Sequence, residues 1–117
     1  MILNIGNREY ELKFGIKFIE AIDSLYTQEK SGIEFGLGIE LVTVYLNAGR
    51  PTAILNVIKA GTAHLNSKPS NKDIEDFLEE LASKDDESYE QLFTDLLESM
   101  EQAPFLKRAL KQVNAQN

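Results

Sequence analysis

Between Leu37 and Leu65 the chain carries only three formal charges, Glu40, Arg50 and Lys59, and is interrupted once, at Asn47-Ala48-Gly49-Arg50-Pro51. A stretch this apolar has to be buried, and its hydrophobic residues recur at helical spacing. Leu37, Leu41, Val44, Tyr45 and Ala48 form one stripe of the first half; Ile39, Val42 and Leu46 form another. A helix apolar on more than one side is expected at the centre of a domain, covered on several faces. Gly49 suits the end of that helix and Pro51 the first turn of the next. The second helix carries Ile54, Val57, Ile58, Gly61 and Leu65 on one face. Together they are expected to form an antiparallel helical hairpin, the core of the fold.

The flanking segments have to cover that hairpin. In residues 1–14, Leu3 and Ile5, then Tyr10, Leu12 and Phe14, alternate with polar neighbours, the period of a half-buried strand pair. Gly6-Asn7 between them tolerates the positive φ angles of a tight turn, so a β-hairpin is expected. From Gly15 the period becomes helical, with Phe18, Ile19, Ile22, Leu25 and Tyr26 on one face and an end near Glu29. Gly32-Ile33-Glu34-Phe35-Gly36-Leu37-Gly38 matches neither of the glycine-rich phosphate-binding patterns and is expected to be a connector between helices. Beyond the stop at Ser67-Lys68-Pro69, Ser70 and Asp73 have the spacing of a capping box. Ile74, Phe77, Leu78 and Leu81 follow on one helix, and Tyr89, Leu92, Phe93, Leu96, Leu97 and Met100 on another. Pro104 breaks the latter, and a tail helix over 103–117, frayed at its end, carries Leu106, Ala109, Leu110 and Val113. The expected fold is mainly α: an N-terminal β-hairpin (1–14) and a compact bundle of about five helices, α+β by strict count. All 117 residues are expected to form one domain, with core helices over 15–66 and an acidic helical arm over 70–102.

Charge is distributed unevenly. Residues 1–69 hold seven acids and seven bases, whereas residues 70–101 hold twelve acids against Lys72 and Lys84, a net of −10. The last sixteen residues add Lys107, Arg108 and Lys111 with no acid. A segment this acidic repels phosphate, which argues against nucleic acid as partner. No apolar run approaches the roughly 18–20 residues of a membrane span, and no signal peptide is visible at the N-terminus. With no cysteine, a disulfide framework and a thiolate metal site are excluded, and the expected location is the cytoplasm.

Catalytic and metal chemistry find little support. His64 is the lone histidine and has no cysteine or second histidine to complete a metal site; it reads as a helix-end residue facing backbone carbonyls. Glu79 and Glu80 diverge around their helix, and Asp73, Asp76 and Glu80 at i, i+3 and i+7 have the pattern of a solvated face. Asp85-Asp86-Glu87 lacks the alternating ligands of a calcium loop. No enzyme, cofactor or metal is expected. What the chain does offer is surplus apolar surface: the stripe Tyr89, Leu92, Phe93, Leu96, Leu97 and Met100 is wide for a terminal helix. It serves either to close the core or to dock a partner helix, and its two edges can divide these roles.

Several segments in order resemble the tail assembly chaperones of long-tailed phages and prophages of Gram-positive bacteria. They are Ile5-Gly6-Asn7-Arg8-Glu9-Tyr10-Glu11-Leu12-Lys13-Phe14, Gly32 through Gly38, Thr62-Ala63-His64, and Lys68-Pro69-Ser70-Asn71-Lys72-Asp73-Ile74. The resemblance spans roughly residues 5–80; residues 81–117 share its acidic helical character without a motif. It implies a non-virion protein of the bacterial host cytoplasm that coats the helical tape measure protein, keeps it soluble and recruits tail-tube subunits. It further implies self-association and a longer form made by ribosomal frameshifting. Partner contact is assigned to Tyr89, Leu92, Phe93, Leu96, Leu97 and Met100 on the stripe alone. The alternative is a small acidic helical adaptor or inhibitor that binds a folded host protein.

Overall fold

The computed structural model describes residues 1–30, 33–36, 38–84, 86–107 and 110, with backbone alone for 27–30 and 33–36. Strands β1 (Ile2–Ile5) and β2 (Arg8–Glu11) pair antiparallel, with Leu3 opposite Tyr10 and Ile5 opposite Arg8. Gly6 at φ 58° and Asn7 at φ 64° make the two-residue turn, the left-handed geometry that glycine and asparagine tolerate best. Ile5, Tyr10, Leu12 and Phe14 turn inward and are buried. The hairpin is closed on itself by one further backbone bond and tied to the helices by contacts with Gly61 and Ser99. Leu12 N–H donates to the Met1 carbonyl (2.7 Å) and Lys13 N–H to the Gly61 carbonyl (2.9 Å). The Ser99 hydroxyl donates to Met1 Sδ at 3.5 Å.

Among the described residues there are five helices: α1 (Ile16–Leu25), α2 (Gly38–Asn47), α3 (Pro51–Gly61), α4 (Asn71–Lys84) and α5 (Asp86–Gln102). The fold is therefore mainly α with an N-terminal hairpin. None of the described helices is long and apolar enough to cross a membrane. Between α1 and α2 lie two further strands, β3 (Thr27–Lys30) and β4 (Ile33–Gly36), paired antiparallel with Gln28 opposite Phe35. This corrects the expected helix end near Glu29 and the expected plain connector. The helix stops four residues earlier because Thr27-Gln28-Glu29-Lys30 offers no apolar residue to hold another turn against the core. Tyr26 (φ −119°, ψ 54°) has already left the helical region. Gly32 and Leu37 lie outside the described residues.

The turn from α2 to α3 is a Schellman motif: Gly49 at φ 74° donates to the Leu46 carbonyl, and Arg50 N–H to the Tyr45 carbonyl. Pro51 then opens α3, as its fixed φ favours. Both helices of the apolar stretch are covered by several neighbours, α2 by α1, α3 and α5, and α3 is the more deeply buried of the two. Ala53, Ile54, Val57, Ile58, Ala60 and Gly61 of α3 are buried, and the helix packs on α1, α2 and α4. Of the two α2 stripes, the one with Ile39, Val42 and Leu46 faces the core. The other lies at the edge, with Val44 50% exposed.

Helices α1 and α2 approach closely where α2 begins. A Cβ on Gly38 would meet the Ile22 side chain and lie 2.6 Å from the Ile22 carbonyl carbon and 2.7 Å from Asp23 N. Gly38 N–H instead donates to Asp23 Oδ1 at 3.0 Å, a side-chain cap supplied from the neighbouring helix. At the start of α4, Asp73 N–H donates to Ser70 Oγ (3.0 Å) and Ser70 N–H to Asp73 Oδ2 (3.2 Å), so the capping box is complete. One core cluster runs from Ile5 in the hairpin to Leu110 beyond α5.

Candidate functional site

Helix α5 divides its apolar stripe between two edges, each an i, i+4, i+8 ladder. Leu92, Leu96 and Met100 are 5%, 0% and 0% exposed and belong to the core, where they leave no surface for a partner. Tyr89, Phe93 and Leu97 are half-buried, packed on the rim of the core with one flank open. Their alignment is fixed locally, since the Tyr89 and Phe93 rings meet edge to face at 5.3 Å and 87°.

This edge forms one wall of a groove of about 330 Å³. The other wall is the end of α2, with Leu46 at the bottom and Asn47 and Gly49 at the lip. The sequence stripe named one wall and missed the α2 wall, which comes from a chain segment at least forty residues earlier. Glu90 and Thr94 line the solvent side. Further along α5 stand Asp95, which accepts from Gln91 Nε2 at 2.8 Å, and the exposed Glu98 and Glu101. Burial pushes the Tyr89 phenol above its ordinary value of 10.0, because the packed site disfavours phenolate. The groove is thus lined by apolar and aromatic side chains with a single acid, Glu90, on its solvent side.

Asp73, Asp76 and Glu80 are exposed along α4 and face a polar depression of about 430 Å³ under the hairpin turn, floored by Phe77 and Leu81. Lys72 Nζ pairs with Asp76 at 2.8 Å and Lys84 with Glu80 at 3.8 Å. The hydrogen bond and charge of Asp76 raise the Lys72 pKa. Among the described residues no group of His, Asp and Glu could hold a metal ion. His64 departs from expectation. It lies beyond the end of α3, its Nε2 is 3.4 Å from Glu11 Oε1, and neither ring nitrogen has a hydrogen-bond partner among the described residues. The expected carbonyl contact is absent because α3 stops at Gly61 and Thr62 Oγ1 takes the Ile58 and Lys59 carbonyls.

No curated protein and no solved structure matches the chain. Residues 2–114 match the family described as phage tail assembly chaperone protein, TAC, which extends the resemblance read in residues 5–80 through the acidic helices. The chain belongs to the phage tail assembly chaperone protein family.

Proposed function

We propose that this phage tail assembly chaperone binds the tape measure protein along the open edge of α5, keeps it soluble in the host cytoplasm, and helps recruit tail-tube subunits. The observation that carries the reading is the groove between α5 and the end of α2, with Tyr89, Phe93 and Leu97 half exposed and Glu90 beside them. An amphipathic client helix can lay its apolar side in such a groove, as helix-in-groove complexes do. The net charge of −10 over residues 70–101 keeps chaperone–client complexes apart from one another, opposing precipitation. The same edge is available for self-association when no client is present.

The test is co-expression with a tape measure protein. Phe93→Ser combined with Leu97→Ser should abolish co-purification while helical circular dichroism persists. Undiminished co-purification would refute the assignment, and loss of the fold would make these residues core. A discrete one-to-one complex with a folded host protein, without affinity for tape measure, would favour the adaptor reading instead.

A further inference from the structure

A second cleft, of about 280 Å³, opens where the start of α1 meets the turn after α5. Its composition is opposite in sign to the α5 groove. Lys13 and Lys17 stand on its rim, His64 forms a wall, and no acid lines it. Ile16 and Phe105, 57% and 60% exposed, are among the most exposed large apolar side chains described, and both border this one cleft. They come from opposite ends of the chain, so only the tertiary fold brings them together.

The backbone adds to the charge. Gly15 caps α1 without a side-chain hydrogen bond, and the first turn holds no acidic residue. Its leading N–H groups therefore lack intrahelical partners and a side-chain cap, and they form the positive end of the helix dipole. Lys107 follows Phe105 by two residues, within a terminal segment of net charge +3. Neither Lys13 nor Lys17 has an ion-pair partner among the described residues. Exposed apolar side chains rimmed by unpaired cations fit a ligand that is apolar and anionic at once.

We infer that this cleft is a docking site for an acidic amphipathic segment of another protein, which inserts an aromatic or aliphatic side chain between Ile16 and Phe105 and sets carboxylates against Lys13, Lys17 and the start of α1. Charge complementarity selects this occupant. The groove's lining on α5 ends at Leu97, and it shares no residue with the cleft. The two sites are built from different side chains, so the residues of one can be changed without touching those of the other.

The experiment uses the full-length protein and a short dye-labelled peptide of Glu and Asp with one Phe and two Leu, followed by fluorescence anisotropy. Controls are the same peptide with Lys for every acid and with Ser for Phe and Leu. The acidic apolar peptide should bind at least about tenfold more tightly than either control, and more weakly at high salt. Lys13→Glu with Lys17→Glu, and separately Phe105→Ser, should each weaken it by about tenfold or more. Phe93→Ser with Leu97→Ser should leave peptide binding unchanged, and the lysine variant should still co-purify with tape measure. These two arms separate failure of this site from failure of the α5 assignment. Equal binding of the three peptides, indifference to the lysine reversal, or loss in the Phe93/Leu97 variant would overturn the inference. So would a wild-type dimer that Lys17→Glu converts to monomer, since a second copy would then fill the cleft. If Phe105→Ser does not fold, the lysine variant decides, because both charges are exposed.

Discussion

Replacing Gly38 by alanine sets two physical effects of opposite sign against each other. Helix propensity favours alanine by about 1 kcal/mol within a helix. Packing opposes it: the new Cβ would lie 2.6 and 2.7 Å from backbone atoms of Ile22 and Asp23, where van der Waals contact needs 3.4–4 Å. Backbone inside α1 cannot rotate away as a side-chain end can, so α2 has to move by close to an ångström. Overpacking of this kind costs about 1–3 kcal/mol. The same movement stretches the 3.0 Å bond from Gly38 N–H to Asp23 Oδ1, a charge-assisted bond whose loss costs about 1.5–3 kcal/mol when complete. With the propensity gain subtracted, Gly38→Ala should destabilise the fold by about 2–3 kcal/mol. That corresponds to a fall in Tm of roughly 10 °C for a chain of this length. Urea unfolding followed by circular dichroism measures it directly. A double-mutant cycle with Asp23→Ala should be strongly non-additive, because the glycine substitution has already strained that bond. A neutral or stabilised Gly38→Ala would mean that α1 and α2 do not approach this closely, and the reasoning would fail.

Three other outcomes follow from the same geometry. Leu96→Ala removes a side chain with no exposure and should cost about 2–5 kcal/mol in urea unfolding, whereas Thr94→Ala on the exposed side of α5 should change stability by less than about 0.5 kcal/mol. Ser70→Ala removes one bond of the capping box and should cost about 1 kcal/mol, with a small loss of helical ellipticity from fraying of α4. Because burial raises the Tyr89 pKa above 10.0, the folded state holds the phenolic proton more tightly than the unfolded one. Its contribution is intact below pH 10.0 and is lost as pH rises through the folded pKa, so Tyr89→Phe should lose less stability in alkaline thermal melts than the wild type.

Features fixed by local chemistry were legible in the sequence. The Gly6-Asn7 turn, the Gly49-Arg50-Pro51 joint and the Ser70–Asp73 capping box each depend on residues within a few positions of one another. Features decided by packing were not. Both α2 stripes are plausible core faces, and only the placement of α1 and α3 decides that Ile39, Val42 and Leu46 go inside. The α5 stripe contains two interleaved i, i+4 ladders of equal apolarity, and the rotation of the helix buries Leu92, Leu96 and Met100 while leaving Tyr89, Phe93 and Leu97 at the rim. The β3–β4 pair escaped because four-residue strands give too few alternations to compete with an adjoining helical period. The basic cleft was invisible for a different reason: Ile16, His64 and Phe105 are remote in sequence and meet only in the folded chain.

The contact between Met1 and Ser99 joins residues 98 apart, and it sets a timetable for synthesis. At about 5–20 residues per second, a ribosome makes Ser99 roughly 5–20 s after Met1. Throughout that interval the first hairpin exists without the Ser99 contact at Met1, and a two-stranded hairpin alone is marginal in water. The nascent chain therefore holds unsatisfied strand and apolar surface for seconds, during which any early-acting partner would find its N-terminal face open. If the chain shelters a client as proposed, it can do so in its folded form only after α5 has left the exit tunnel.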